Sequence, residues 1–283
     1  MRSSRWGAAR RAFGPGAAAL AVTLSAATAS ATTPPGATTP PGATTPASLD
    51  SAQLQQYVDG NLAFVAFHEM GHALVSELDI PIAGREEDAV DRLATLILMP
   101  DQGDPPTDLM AAMDGWFRSD AGQPVDSIPW WDEHGTGAQR GFQIACLLYG
   151  ADPARFAAAA DAGLPEERRQ SCVDEAHRND RAWTRLLADG LRPAGSPPGD
   201  PIPVTYEDTT DFATEQAYLM GSGILEAVSS ALGQWTLKPG ITIRAAECKE
   251  INAFWDPDGR VLTMCYELVR DYLQIATGAA PTG

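Results

Sequence analysis

Positive charge is what this chain has least of. In 283 residues, Lys and Arg number 20 against 37 Asp and Glu, a net charge of −17. Such a chain repels phosphate backbones, which argues against a nucleic-acid partner, and it gains nothing from an anionic membrane surface. Long hydrophobic runs are also missing. The main apolar stretch, Ala17 to Leu24, is too short to cross a bilayer as a helix, so no membrane span is expected. Cysteine is scarce: Cys146, Cys172, Cys248 and Cys265, with no C-x-x-C among them. That spacing disfavours a Cys₄ zinc site. What remains is 44% hydrophobic and 20% charged, a globular composition that excludes a wholly disordered or collagen-like chain.

The N-terminus reads as an export signal over residues 1–31. Arg2, Arg5, Arg10 and Arg11 precede the apolar stretch, and Ala29-Ser30-Ala31 supplies a small-residue cleavage pattern. The Arg10-Arg11 pair leaves both the general and the twin-arginine routes open. No Cys follows the cleavage site, which argues against a lipoprotein. A secreted or periplasmic protein is expected. TTPPGA then occurs at 32–37 and again at 38–43, so 32–47 reads as a Thr/Pro/Gly-rich tether. Residues 48–278 should form a single folded domain, interrupted by a Pro-rich linker at 193–203. An even cysteine count in an exported chain favours disulfides. Of three possible pairings, sequence proximity favours Cys146–Cys172 and Cys248–Cys265, each contributing about 3 kcal/mol by loop entropy.

The strongest motif is His68-Glu69-Met70-Gly71-His72, set among Leu62, Phe64, Val65, Phe67, Leu74, Val75 and Leu78. That apolar pattern fits a buried helix ending before Pro81. On a helix, His68 and His72 share one face and both imidazoles can reach one Zn²⁺, while Glu69 reaches the water that the ion activates. With only 4 His in the chain, this pattern is expected by chance roughly 0.003 times. The bland alternative is a pair of hydrogen-bonded core histidines.

A catalytic zinc needs a third protein ligand and one open position. Residues 85–99 read as a second helix ended by Pro100, with acids clustered at its start, where they suit the helix dipole. Glu87, Asp91, Ala94 and Leu98 share a stripe, and a carboxylate on such a stripe is costly unless it meets a metal or a cation. Glu87 is the candidate third ligand. Asp91, one turn on, would accept the free ring N–H of a zinc-bound His. Glu86 and Asp88 read as solvated charges at the helix start; the rival reading puts Glu87 and Asp91 there too.

At this point HEMGHALVSELDIPIAGREEDAVD resembles the gluzincin arrangement of HExxH followed by ExxxD on a second helix. With DEHGTGAQR, CLLYGADPARF and NAFWDPDGRVLTMCYEL, spread over about 61 to 267, the chain resembles an uncharacterised family of exported bacterial zinc metallopeptidases, a domain-of-unknown-function family. The resemblance implies zinc, a peptidase-like site and a zincin-type fold, but no particular substrate. Two features depart from the family pattern. Lys249 stands where a glycine is usual, before Glu250-Ile251-Asn252-Ala253-Phe254. Gly135 and Gly137 stand where better helix starters are expected.

The remaining segments fill in the architecture. Helices are predicted at 107–118, 138–149, 152–162, 165–189 and 211–234, the last broken near 221–223. Strands are predicted at 241–245 and as a hairpin either side of Asp256-Pro257-Asp258-Gly259, followed by a helix from Cys265. The fold class is therefore α+β and helix-rich, with a small C-terminal sheet. In zincins a comparable hairpin usually precedes the HExxH helix, so here it should dock beside that helix from the opposite end of the chain. His134, among aromatics and acids, is the candidate catalytic His for the oxyanion; Arg140 reads as the partner of an acid. Trp130 and Trp131 read as core packing rather than cleft lining, and His177 as a solvated helix residue. Tyr266 and Glu267 read better as a core Tyr and a capping Glu than as site residues. The function expected is hydrolysis of a peptide or protein substrate by a zinc-activated water, with Glu69 as general base. The alternatives are a non-catalytic zinc-containing scaffold and a zinc amidase acting on cell-wall material.

Overall fold

A computed structural model describes residues 51–277 apart from 101–105, 120–123 and the single positions 162, 194 and 198. The predicted export signal and tether lie outside the described residues. Nine α-helices, a single 3-10 turn (Val125–Ser127) and four strands are described: α1 (Ser51–Glu77), α2 (Glu86–Leu98), α3 (Thr107–Ser119), α4 (Gly137–Ala151), α5 (Ala157–Asp161), α6 (Glu166–Leu186), β1 (Val204–Tyr206), α7 (Ala213–Ser222), α8 (Ile224–Leu232), β2 (Thr242–Ala246), β3 (Ala253–Asp256), β4 (Val261–Cys265) and α9 (Tyr266–Thr277). The chain is thus α+β and helix-rich, with one small mixed sheet.

α1 is the axis of the molecule. It is buried almost all round, Leu62, Phe64, Met70 and Leu74 at 1% exposure or less. That explains its lack of an amphipathic stripe: a helix apolar on every face belongs inside. Each such side chain contributes roughly 2–3 kcal/mol through burial. α2, α3, α8 and α9 pack around it. The α1–α2 approach is very close at Gly71, where a methyl group would stand 2.8 Å from Val90 Cβ. Only hydrogen there lets two ligand-bearing helices lie this near each other.

The sheet order is β1-β2-β4-β3. β1 and β4 flank β2 in parallel, and β3 closes against β4 as an antiparallel hairpin and is the sheet edge. The hairpin docks beside α1, as expected. Arg260, in its turn, donates to both carboxylate oxygens of Glu77 at 2.6 Å, tying the turn to the end of α1. The backbone N–H of Trp255 donates to Glu69 from the same hairpin.

Both disulfides form as proximity favoured, Cys146–Cys172 and Cys248–Cys265. The first joins α4 to α6 and, with Ala160 and Leu164, forms a small apolar cluster apart from the main core. Among the described residues no helix is long and apolar enough to cross a membrane.

Several predicted elements change. Of the described residues in 152–162, only α5 is helical; residues 153–156 form turns. The break in the 211–234 helix falls at Gly223, whose φ of 69° ends one helix and starts the next. β1 has no counterpart in the predicted elements. The Pro-rich stretch at 193–203 is held by its flanks and interior: Arg192 and Gly199 donate N–H to the carbonyls of Gln234 and Gly233, and Ser229 Oγ donates to the carbonyl of Ile202. Trp130 and Trp131 are not core residues; they are 65% and 85% exposed.

Candidate metal centre

α1 presents His68, Glu69 and His72 to a cleft of about 760 Å³. α2 crosses beside it and adds Glu87 and Asp91. The two helices set each imidazole by its inner nitrogen. His68 Nδ1–H donates to Asp91 Oδ1 at 2.7 Å, and His72 Nδ1–H donates to Glu86 Oε1 at 2.8 Å. A carboxylate accepts only from a protonated nitrogen, so each ring in its neutral, metal-binding form would have its Nε2 lone pair toward the cleft.

Those Nε2 atoms are 3.2 Å apart. Glu87 closes the figure: its Oε2 is 3.0 Å from His68 Nε2, and its Oε1 is 3.3 Å from His72 Nε2. Donors about 2.0–2.1 Å from a central zinc, at tetrahedral angles, stand about 3.3 Å from each other. The two Glu87 distances run to different oxygens, so the carboxylate straddles the two imidazoles with its donors at about the spacing that ligands of one zinc ion keep. Glu87 Oε2 is buried and receives no well-aligned hydrogen bond despite the nitrogens around it. That is the pattern of lone pairs aimed at a shared point, and the donor set fits a divalent cation of zinc type.

Asp91 is 2% exposed. It is held by Arg140, whose Nε and Nη2 donate to its two oxygens at 2.7 and 2.6 Å. The guanidinium also lies 3.6 Å above the Trp116 ring. Burial raises the Asp91 carboxyl, but Arg140 and His68 together outweigh it and hold the pKa down at about 2. The acid partner that the sequence predicts for Arg140 is thus Asp91, and Asp91 sits against a His of the motif.

Glu86, read from sequence as a solvated charge, instead orients His72, although its side chain is 44% exposed. The spacing that found Asp91 could have found it, since Glu86 is one residue before Glu87 and can turn back to the second His. Asp88 does face outward, pairing with Arg85 at 3.0 Å.

His134 enters on the loop before α4. Its backbone N–H and Nδ1–H both donate to Asp132 Oδ1, at 2.8 and 3.1 Å. Its Nε2 lies 2.9 Å from Glu87 Oε2, so the structure brings all the predicted site residues together. His68, Glu87 and His134 by themselves form a cluster able to hold an ion. His134 is 47% exposed in its side chain against 4% for His68, and the loop rather than the core carries it. The glycines flanking the loop do not weaken α4. Thr136 caps it, accepting from Gln139 N–H while Gln139 Oε1 accepts from Thr136 N–H.

The electrostatics are those of a cation site. For Glu87, burial raises the carboxyl, but His134, His68 and His72 hold it far below the usual range. For His72, burial lowers the pKa, but Glu87 and Glu86 lift it to about 9. Glu69 goes the other way. At 7% exposure, burial raises its pKa despite the nearby His68 and His72. A carboxyl tuned upward is suited to taking and returning a proton.

Over residues 43–187 and 206–282 the chain matches the model of a family described as "Putative metallopeptidase". The chain belongs to that family. Both helices of the metal centre, the His134 loop and the C-terminal hairpin lie inside the match; the stretch between its two parts holds the Pro-rich segment. Neither a curated protein nor a solved structure matches the chain.

Tyr266 and Glu267 stay outside the site. Tyr266 is fully buried and donates to the carbonyl of Glu207 at 2.8 Å. Glu267 accepts the backbone N–H groups of Cys248 and Lys249. This supports the backbone where the family's usual glycine is absent: Lys249 has φ of 66°, the left-handed region glycine fills without strain. His177 is exposed on α6, as expected.

Proposed function

We propose that the chain is an exported zinc-dependent peptidase of zincin-like design. His68, His72 and Glu87 would hold the ion, with Asp91 and Glu86 fixing the imidazoles. The mutual spacing of the three donors carries this reading, and family membership supports its chemistry. The export reading rests on residues 1–31, on two disulfides and on an expected single mature domain from about residue 48.

Zinc bound there would polarise the scissile carbonyl and bring the pKa of a water toward neutrality. The chain's own residues do the rest. Glu69 takes the proton of the attacking water and hands it to the leaving amine, which its burial-raised pKa suits. Trp255 N–H, by donating to Glu69, keeps that carboxylate turned into the cleft. His134, with its pKa raised by Glu87, offers a proton or a positive edge to the oxygen that gains charge.

Glu69→Gln should leave bound zinc near one per chain and reduce cleavage of a broad peptide mixture by at least about a thousandfold. Glu87→Ala should lose the zinc, measured by elemental analysis. Full turnover in the first variant, or unchanged zinc in the second, overturns the assignment.

One observation favours a second reading, a scaffold with a closed metal site: His134 Nε2 lies within ion-sharing range of Glu87. A fourth protein ligand would leave no position for water. His134→Ala distinguishes the two. In the peptidase it keeps the metal and loses roughly 100-fold in kcat; in a closed site it loses metal affinity.

A further inference from the structure

The cleft does not stop at the metal centre. On its far side α9 presents Leu268, Asp271, Tyr272 and Ile275, positions i, i+3, i+4 and i+7 of one helical face. Three have apolar bodies. The fourth is a half-buried carboxylate. Among the described residues, Asp271 has no hydrogen bond and no ion pair; burial raises its carboxyl, with no cationic group offsetting the effect.

The cleft offers it no free lysine or arginine. Arg140 is the one Lys or Arg lining it, and Arg140 is already bound through two nitrogens to Asp91 and laid on Trp116. Asp271 therefore puts an unmatched negative charge into a hollow walled by Leu268, Ile275 and aromatic rings. A partly desolvated carboxylate without a partner is unfavourable, and the group that relieves it is a cation on an apolar stem. Arginine and lysine side chains have that form, and aromatic rings nearby favour the cation further.

We propose that Asp271 selects a basic side chain, arginine or lysine, in the peptide held by the cleft. The inference rests on the peptidase reading above and names its substrate class. The Tyr272 ring meets the Tyr57 ring edge-on at 6.4 Å, and Tyr57 precedes His68 by about 16 Å along α1. The basic residue thus sits several positions from the bond cleaved, not beside it.

The test uses zinc-loaded Glu69→Gln protein, which retains substrate. Short alanine–serine peptides carry one arginine, or its neutral isostere citrulline, at each position in turn; binding is read by tryptophan fluorescence and calorimetry. At one position arginine should bind roughly five- to tenfold more tightly than citrulline, an advantage that shrinks with added salt. Adding Asp271→Asn should bring that ratio near one and leave citrulline affinity unchanged. An arginine-to-citrulline ratio near one throughout, a ratio that survives Asp271→Asn, or no binding of either peptide overturns the proposal. Turnover by the unmutated protein separates the two readings. Cleavage without a basic preference removes the Asp271 role and keeps the peptidase; arginine-selective binding with no cleavage does the reverse.

Discussion

On one side of the cleft His68, Asp91 and Arg140 are 3%, 2% and 8% exposed; on the other, Trp130 and Trp131 stand in water a few residues from His134. The buried side is built from two helices in van der Waals contact at Gly71 and Val90, and Asp91, which aims His68, is itself held by Arg140. The open side is a loop, an edge strand and one face of α9. Holding an ion needs donors fixed within a fraction of an ångström, which packed helices supply. Receiving varied peptides needs a wall that can yield, which loops and sheet edges supply. The difference separates where this molecule is rigid from where it is adaptable.

Arg140→Met should break the rigid side most severely. It leaves Asp91 buried without its cation, so stability should fall by about 3–5 kcal/mol in denaturant melts. Zinc affinity should drop by roughly 10- to 100-fold as His68 loses its fixed partner. A comparable loss from substitutions at Trp131, which touches neither, would erase the contrast between the two sides.

Asp271→Asn sharpens the contrast from the open side. A carboxyl whose folded pKa is raised binds its proton more tightly folded than unfolded. Its charge therefore counts against folding once pH exceeds the unfolded value, and the effect disappears in acid. The variant should melt higher than the parent at pH 7, by a small margin, and equally at pH 3. Equal melting at pH 7 would mean that Asp271 pays no desolvation cost.

The smallest effect belongs to Lys249. Replacing it by Gly removes left-handed strain of about 1–2 kcal/mol but adds chain entropy to the unfolded state of roughly 0.5–1 kcal/mol. A net gain under about 1 kcal/mol is expected in thermal melts, with zinc content unchanged because the metal-holding helices are untouched.

Much of this was legible in the residues. His68, Glu69 and His72 announce themselves by spacing, and Glu87 and Asp91 by sitting on an otherwise apolar stripe. The disulfides follow from sequence distance and the hairpin from a strand–turn–strand pattern. Other features had weak or no local signals. β1 is three residues long, too short for a period to be read, and exists because β2 offers it a parallel edge. Residues 153–156 have helical composition but turn to bury Phe156 and bring Ala159 into the core. Glu86 reaches His72 only because the turn at 78–85 brings α2 back across α1, a tertiary fact. Trp130 and Trp131 break the expectation that tryptophan is buried, because their loop leaves them in water. The capping pair Thr136 and Gln139 was readable from the T-x-x-Q spacing, despite the glycines around it.

Cys265 is the last residue of β4 and Tyr266 the first of α9, so the bridge to Cys248 clamps the segment leading to Ile251 and Asn252, which line the cleft, against the joint between sheet and helix. Its companion bridge lies in a separate cluster behind α4. Thiols would therefore slacken the mouth through one bond and the rear of the molecule through the other, each independently. On the exported-peptidase reading proposed above, the reduced chain would therefore have an unclamped jaw, and substrate grip would follow oxidation.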